Sequence, residues 1–177
     1  MKKPFPLAKV YTLLEPGAVA MVTTALKDRA NIMTMSWHTM IDFDPPLAGL
    51  VIGDQSQTFQ TLKRTGECVI NIPETGLLKK AVACGNVSGR TVNKFKAFGL
   101  TPVKASKVKA PLVKECPVNL ECKVVHRTLA NRYNFFILKI VKAWADPNKK
   151  DLRTFRHLGK GVFLAGGKKI KTSSRMK

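Results

Sequence analysis

Seven β-rich runs joined by mostly short connections constrain this chain more than any other feature. They read "EPGAVAMVTTAL", "ANIMTMSWHTM", "LAGLVIG", "ECVINIP", "VNLECKVVHRTL", "NFFILKIVKAWAD" and "GVFLAGGKKIK". Parallel neighbours need crossovers of a dozen or more residues, so short connections favour antiparallel pairing. "KDRAN" reads as a hairpin loop between the first two runs. "DFDPP" ends the second, because two prolines cannot continue a ladder. "LAGLVIG" is short, apolar and bounded by Pro and Gly, the pattern of a buried strand. The two longest runs are expected to join around Ala130 and Asn131.

Short helices fit between the runs. In "SQTFQTLKRTG", Ser56 or Thr58 can cap a helix that stops near Gly66, with Phe59 and Leu62 on its inner face. "TGLLKKAVACG" and "TVNKFKAFGL" read as further short helices, each stopped by glycine, and Asp151 to His157 as a helical turn. No GxGxxG turn opens alternating βα units, which argues against a dinucleotide-binding Rossmann domain. The expected fold is mainly β (α+β): a closed or partly closed barrel, mostly antiparallel, with short helices on the outside. With no internal repeat and no interior linker, residues 1–177 are expected to form a single domain, with a core over about 17–166 and a basic tail over about 167–177.

The chain has 177 residues, 45% hydrophobic, which is globular composition and enough for one core. No window approaches 18 unbroken apolar residues, so no membrane insertion by a helix is expected. "MKKPFPLAKV" places prolines and a lysine where an export signal needs an apolar stretch. Cys68, Cys84, Cys116 and Cys122 form no CxxC and no common zinc spacing. They read as reduced thiols of a cytoplasmic protein, with no metal. Net charge is +20, and it is lopsided: residues 1–60 hold five basic and five acidic groups, residues 61–177 hold 26 and six. Such a field attracts anions. No general-base dyad or nucleophile–base pair points to hydrolysis.

"ANIMTMSWHTM" alternates without having a purely apolar face. As one strand it would set Ile32, Thr34, Ser36 and His38 against Asn31, Met33, Met35 and Trp37. Together with "DPPLAGLVIG", "SQTFQTLKRTGECVINIP", "SGRTVNKF" followed by "AFGLT", and "HLGKGVF", it resembles the flavin reductase-like domain family of FMN-binding split barrels, within it the flavoredoxin branch. The resemblance runs from about Gly17 to Gly166.

That resemblance implies FMN held non-covalently in a homodimer, with the chemistry on the flavin at N5 and C4a and no catalytic side chain. It places Asn31, Thr34, Met35, Ser36 and Trp37 along the ring, Ser56 and Thr58 at the phosphate, and Ser88, Gly89, Arg90 and Lys94 in a covering loop. Asn71, inside "VINIP", joins the cofactor contacts, with satisfaction of buried backbone as its other reading. NAD(P)H-dependent flavin reductases of this family often carry a Gly-Asp-His turn before the strand matching "NFFILKIV". Here "LANRYNFF" puts Arg132 and Tyr133 near those places. This favours an electron carrier fed by an acidic electron-transfer protein, with a reduced nicotinamide as the other donor. A basic nucleic-acid-binding module is the rival class, opposed by 7% aromatic content and by the absence of a helix-turn-helix or zinc-finger pattern. A pyridoxamine-phosphate-oxidase-like FMN barrel is the second rival, opposed by the order of the motifs.

Overall fold

The computed structural model describes residues 17–149 and 152–166. The chain opens with a hairpin of β1 (Ala20–Leu26) and β2 (Arg29–Met35), in register from Ala20↔Met35 to Leu26↔Arg29. A second hairpin pairs β3 (His38–Phe43) with β4 (Pro46–Val51). Then follow α1 (Gln57–Thr65), β5 (Glu67–Ile72), α2 (Leu78–Asn86) and α3 (Lys94–Ala97). The small pair β6 (Pro102–Val103) and β7 (Leu112–Val113) precedes β8 (Val118–His126). Next come α4 (Thr128–Tyr133) and β9 (Phe135–Ala145), and a last small hairpin of β10 (Phe155–His157) and β11 (Phe163–Ala165).

Seven strands form one sheet in the order β2-β1-β5-β8-β9-β4-β3. Every pairing in it is antiparallel. The expected strand over Ala30 to Met40 is in fact two. β2 stops at Met35 and β3 starts at His38, on the opposite edge of the sheet. Hydrogen bonds outside the ladder impose the break. The Ser36 carbonyl takes the His38 N–H (3.1 Å), the Trp37 carbonyl takes the Val51 N–H (3.0 Å), and the His38 Nε2 bonds the Ala18 carbonyl oxygen (2.7 Å). The two edges therefore meet at this corner, which curls the sheet into a split barrel. "DFDPP" ends β3 and forms its turn into β4, and Pro46 opens a strand, where a missing N–H is tolerated.

Two apolar layers hold the sheet. Ala20, Val22, Leu50, Ile70, Phe136 and Leu138 pack with Phe59 and Leu62 of α1. The Phe59 and Phe136 rings meet edge to face at 5.2 Å. On the other side, Met21 and Ile32 pack with Ala81 and Cys84 of α2, Phe95 of α3 and Phe155 of β10. α1 is bounded as expected: the Ser56 hydroxyl accepts the Phe59 N–H at 3.0 Å, and Gly66, with φ of 70°, closes the helix. Gly49 is required for packing, since a Cβ there would lie 2.5 Å from the Phe135 ring.

One further expectation is corrected, and the expected junction of the two longest runs is kept. The stretch toward His157 is not a helical turn, because Phe155, 1% exposed, is drawn into the core and its carbonyl takes the Val19 N–H. Asp151 itself lies outside the described residues. The junction around Ala130 is the short helix α4, closed by Asn134 at a φ of 58°. The basic tail over 167–177 also lies outside the described residues.

The segment between β6 and β7 wraps the outer face of β5 and β8. Ala105, Val108 and Ala110 bury against Val69, while Lys104, Lys107 and Lys109 face outward. Its clamp is Glu121 of β8, which is wholly buried. The Glu121 carboxylate accepts the N–H groups of Ser106, Lys107 and Val108, the Ser106 hydroxyl (3.0 Å) and the Trp144 indole N–H (2.8 Å). Burial alone would push this carboxyl up. The hydrogen bonds, that from Trp144 first, outweigh it and hold the group below its ordinary value. A carboxylate held low in the fold stabilises it above the ordinary pKa and loses that contribution as pH falls through the lowered one. Glu121→Gln is therefore expected to lose about 1–3 kcal/mol in urea unfolding at neutral pH. The gap between the two proteins should close as the pH is taken below about 4.

Candidate functional site

Two adjoining hollows flank β2 and share Thr34 and Gly85. The first, about 350 Å3, lies between the start of α1 and the end of α2, and is lined by Asn31, Ser56, Thr58, Ser88, Gly89 and Lys94 among others. The second, about 290 Å3, continues toward the 36–37 corner between Met35, Ser36, Phe155, His157 and Phe163. Nine of the twelve residues nominated from sequence line one hollow or the other.

The first hollow is polar and positive. α1 points its start into it, and the first N–H groups of a helix have no partner within the helix and carry a partial positive charge. Lys94 is only 6% exposed, and its ammonium donates to the Cys84 carbonyl at 2.6 Å. Burial pulls its pKa below the ordinary lysine value, and among the described residues it has no carboxylate partner. Asn31 donates its amide to the Thr58 hydroxyl at 3.0 Å, while its other polar atom is buried without a partner. Whichever way that amide is turned, one of its ends is left over. Gly89 packs so close that a Cβ there would overlap the Asn31 amide. Cys84 also lines this hollow, but burial pushes its thiol up to about 11 against the pull of Lys94, so it is a neutral neighbour there and not a thiolate nucleophile.

The loop after α2 is shaped locally and then braced. Ser88 organises a turn: its hydroxyl accepts the Arg90 N–H (3.2 Å) and its carbonyl the Val92 N–H (3.1 Å). Arg29 of β2 donates to the carbonyls of Gly89 (2.8 Å) and Arg90 (2.6 Å). Arg90 itself does not line the hollow. Its guanidinium reaches across to the Gln55 carbonyl at 2.9 Å and ties the loop to the approach of α1.

The second hollow has apolar walls. Phe155 and Phe163 meet edge to face at 6.0 Å, and the His157 ring lies 5.0 Å from Phe163. Thr34 ties the strand to α2 by donating its hydroxyl to the Ala81 carbonyl at 2.6 Å. Phe155, His157 and Phe163 were not nominated from sequence. The "HLGKGVF" motif signals His157 and Phe163 but not Phe155, and its place near β2 depends on long-range contacts of β10 with Ala18 and Val19. Trp37 is 52% exposed at the corner and lines neither hollow. Asn71 lines neither hollow and matches the buried-backbone reading. It is wholly buried elsewhere, donating to the Met21 carbonyl (2.8 Å) and accepting from the Val113 N–H (3.0 Å) and Asn119 (2.8 Å). Its amide is spent on joining β1, β7 and β8.

The combined cleft suits an elongated ligand, with an anionic group and hydroxyls at one end and a flat apolar body at the other. Among the described residues, no group of three or more His, Cys, Asp or Glu is arranged to hold a metal ion, and no helix is long and apolar enough to cross a membrane.

The sequence pattern of the flavin reductase like domain matches residues 13–159. An uncharacterized protein of Archaeoglobus fulgidus is 37% identical over 114 residues, which is 64% of this chain and 64% of that relative, short of two thirds of its length. The solved flavoredoxin of Desulfovibrio vulgaris (Miyazaki F) superimposes with a TM-score of 0.85 at 26% identity, covering 99% of this chain and 98% of that one. The FMN-binding domain of a flavin reductases-like enzyme from Shewanella baltica OS155 gives a TM-score of 0.82 at 25% identity, covering 96% of each chain.

An anion at Lys94 and the start of α1 should stabilise the ligand-free fold by mass action. Inorganic phosphate at about ten times its dissociation constant is expected to add about 1.4 kcal/mol and raise the melting temperature. The same phosphate series on Lys94→Met should leave the melting temperature unmoved.

Proposed function

The chain belongs to the flavin reductase-like domain family, and from that premise we propose that it is an FMN-binding flavoprotein that transfers electrons. The observation that carries the reading is Lys94: a buried ammonium with no carboxylate partner among the described residues, in a hollow shared with a helix start and the hydroxyls of Ser56, Thr58 and Ser88. A phosphate monoester fits that end of the cleft. Lys94, the first N–H groups of α1, Ser56, Thr58 and Ser88 hold it. The leftover end of the Asn31 amide suits a sugar-alcohol hydroxyl, which both donates and accepts. Thr34, Met35 and Ser36 run along the ring, walled by Phe155, His157 and Phe163. FMN, when bound, supplies one- and two-electron redox chemistry. The chain's part is to orient it, exclude water from its apolar body and set its surroundings.

The donor side follows from what stands before β9. α4 occupies that position, with the Arg132 guanidinium 5.2 Å from the Tyr133 ring centroid and both side chains exposed. This supports an electron carrier reduced by an acidic electron-transfer protein, with a reduced nicotinamide as the alternative donor. Four buried cysteines without a disulfide suit a reducing, cytoplasmic setting. Assembly is read from the β3–β4 hairpin. Met40 (52%), Ile41 (42%) and Phe43 (78%) are exposed along an edge strand, with Trp37 (52%) at the corner before it. An apolar edge of this kind invites pairing, and a second copy of the chain is the occupant that the homodimer reading assigns. Met40→Lys with Phe43→Lys is expected to convert a dimer to a monomer in light scattering.

Titration of FMN and riboflavin, followed by flavin absorbance near 370 and about 450 nm, tests the cofactor. Hydrogen bonds to a charged group contribute about 1.5–3 kcal/mol, so Lys94→Met should weaken FMN by about one to two powers of ten. Riboflavin has the same ring and no phosphate, and should bind the variant almost as it binds the parent. Equal losses for both flavins would make Lys94 a general pocket residue, and a parent chain that takes up neither flavin would overturn the reading.

A further inference from the structure

The outer face of the sheet carries a charge pattern that the cleft does not use. Lys104, Lys107 and Lys109 project from the 104–110 segment, while Ala105, Val108 and Ala110 pack beneath it. Glu67 fixes which strand residues share this side: its carboxylate accepts the Lys109 N–H at 3.0 Å and lies 4.0 Å from the Lys123 ammonium. Lys139 stands directly opposite Lys123 in the β8–β9 ladder. Lys142 stands opposite Glu121, its ammonium 5.0 Å from the centroid of the Trp144 ring. Two loop-facing strands and one clamped segment thus gather six lysines on one face.

The carboxylates that these contacts place on the face do little to neutralise it. Glu121 is buried and committed to the N–H groups of the segment and to Trp144. Glu67 divides itself between the Lys109 N–H and Lys123. Like charges directly opposite in a ladder, as at Lys123 and Lys139, are unfavourable on their own. An external anionic surface would relieve them.

The geometry points to a lysine platform, clamped by Glu121, that docks the acidic face of a partner protein. It rests on the electron-transfer reading above, which makes that partner the electron donor or acceptor. The lysines sit on a sheet face and a segment held down on it, without a protruding helix or ribbon to enter a nucleic-acid groove. They include no arginine fork for phosphate, and Trp144 has its N–H on Glu121 and its ring beneath Lys142. Compact point charges over a broad face suit a field of carboxylates, through steering and register.

The test uses the full-length, flavin-loaded protein and an acidic ferredoxin as the probe, with affinity measured at low salt and at about 0.15 M. Lys104→Ser, Lys107→Ser and Lys109→Ser together should weaken binding at least about tenfold at low salt, equal to about 1.4 kcal/mol, and flatten its salt dependence. Lys63→Ser, Lys79→Ser and Lys96→Ser remove the same charge from the helices and should leave affinity close to the parent's. Glu121→Gln keeps every lysine and unclamps the segment, and should lose several-fold. Equal losses in the two triple variants would reduce the effect to net charge and overturn the platform. So would tighter platform-dependent binding of duplex DNA or of phosphatidylserine vesicles than of the ferredoxin. Flavin absorbance separates this from the cofactor reading: a yellow parent that does not bind the probe refutes the platform alone, and a colourless parent refutes the flavoprotein.

Discussion

Ser36 and Trp37 carry the chain from one edge of a seven-stranded sheet to the other. Three residue steps separate Met35 from His38, a reach of at most about 11 Å. The edges must therefore converge at this end. β2 enters the corner as an edge strand, paired among the described residues only with β1, and α2 and α3 pack against it. A helix cannot complete a β ladder, so space remains between strand and helix, and the two hollows occupy it. The location of the cleft is a result of how the barrel fails to close.

The polar end of that cleft is held in place by apolar packing behind it. α1 is anchored by Phe59 and Leu62, each almost wholly buried. Burial of side chains of this size contributes about 1.5–3 kcal/mol apiece. The same helix then presents its start to Lys94 and Ser88, so a rigid core contact sets the direction of an electrostatic one. The buried ammonium is the counterpart: it is tolerable in the fold because the Cys84 carbonyl takes one of its hydrogens, and among the described residues no carboxylate pairs with it.

Features decided within a few residues could be read from the chain. The Ser56 cap, the Gly66 stop and the Phe59–Leu62 face of α1 follow from local spacing, and the structure keeps all three. The corner could not be read. Period-two alternation runs straight through Ser36, Trp37 and His38 with neither glycine nor proline to mark a break, and the deciding bonds go to Ala18 and Val51. Asn71 was ambiguous because an asparagine in a strand serves a ligand or buried backbone equally well, and only the approach of β7 and β8 assigns its amide. For Arg90 the expectation of a ligand contact rests on the resemblance, which makes its loop a cover for the cofactor. Its guanidinium instead closes a brace to Gln55, a contact that sequence spacing does not encode. Phe155 and Phe163 lie more than a hundred residues from β2, and their share of the cleft is a property of the folded topology.

The loop that roofs the polar hollow is fastened chiefly by two arginines bonded to main-chain carbonyls, Arg29 to Gly89 and Arg90, and Arg90 to Gln55. Such fastenings can be exchanged for water without opening either apolar layer. Exit of a ligand past this loop would then turn on a few surface hydrogen bonds, while its equilibrium fit would turn on the barrel. Residence time and affinity become separately adjustable properties of one fold, and changes at Arg29 or Arg90 alter how long a guest stays more than how well it fits.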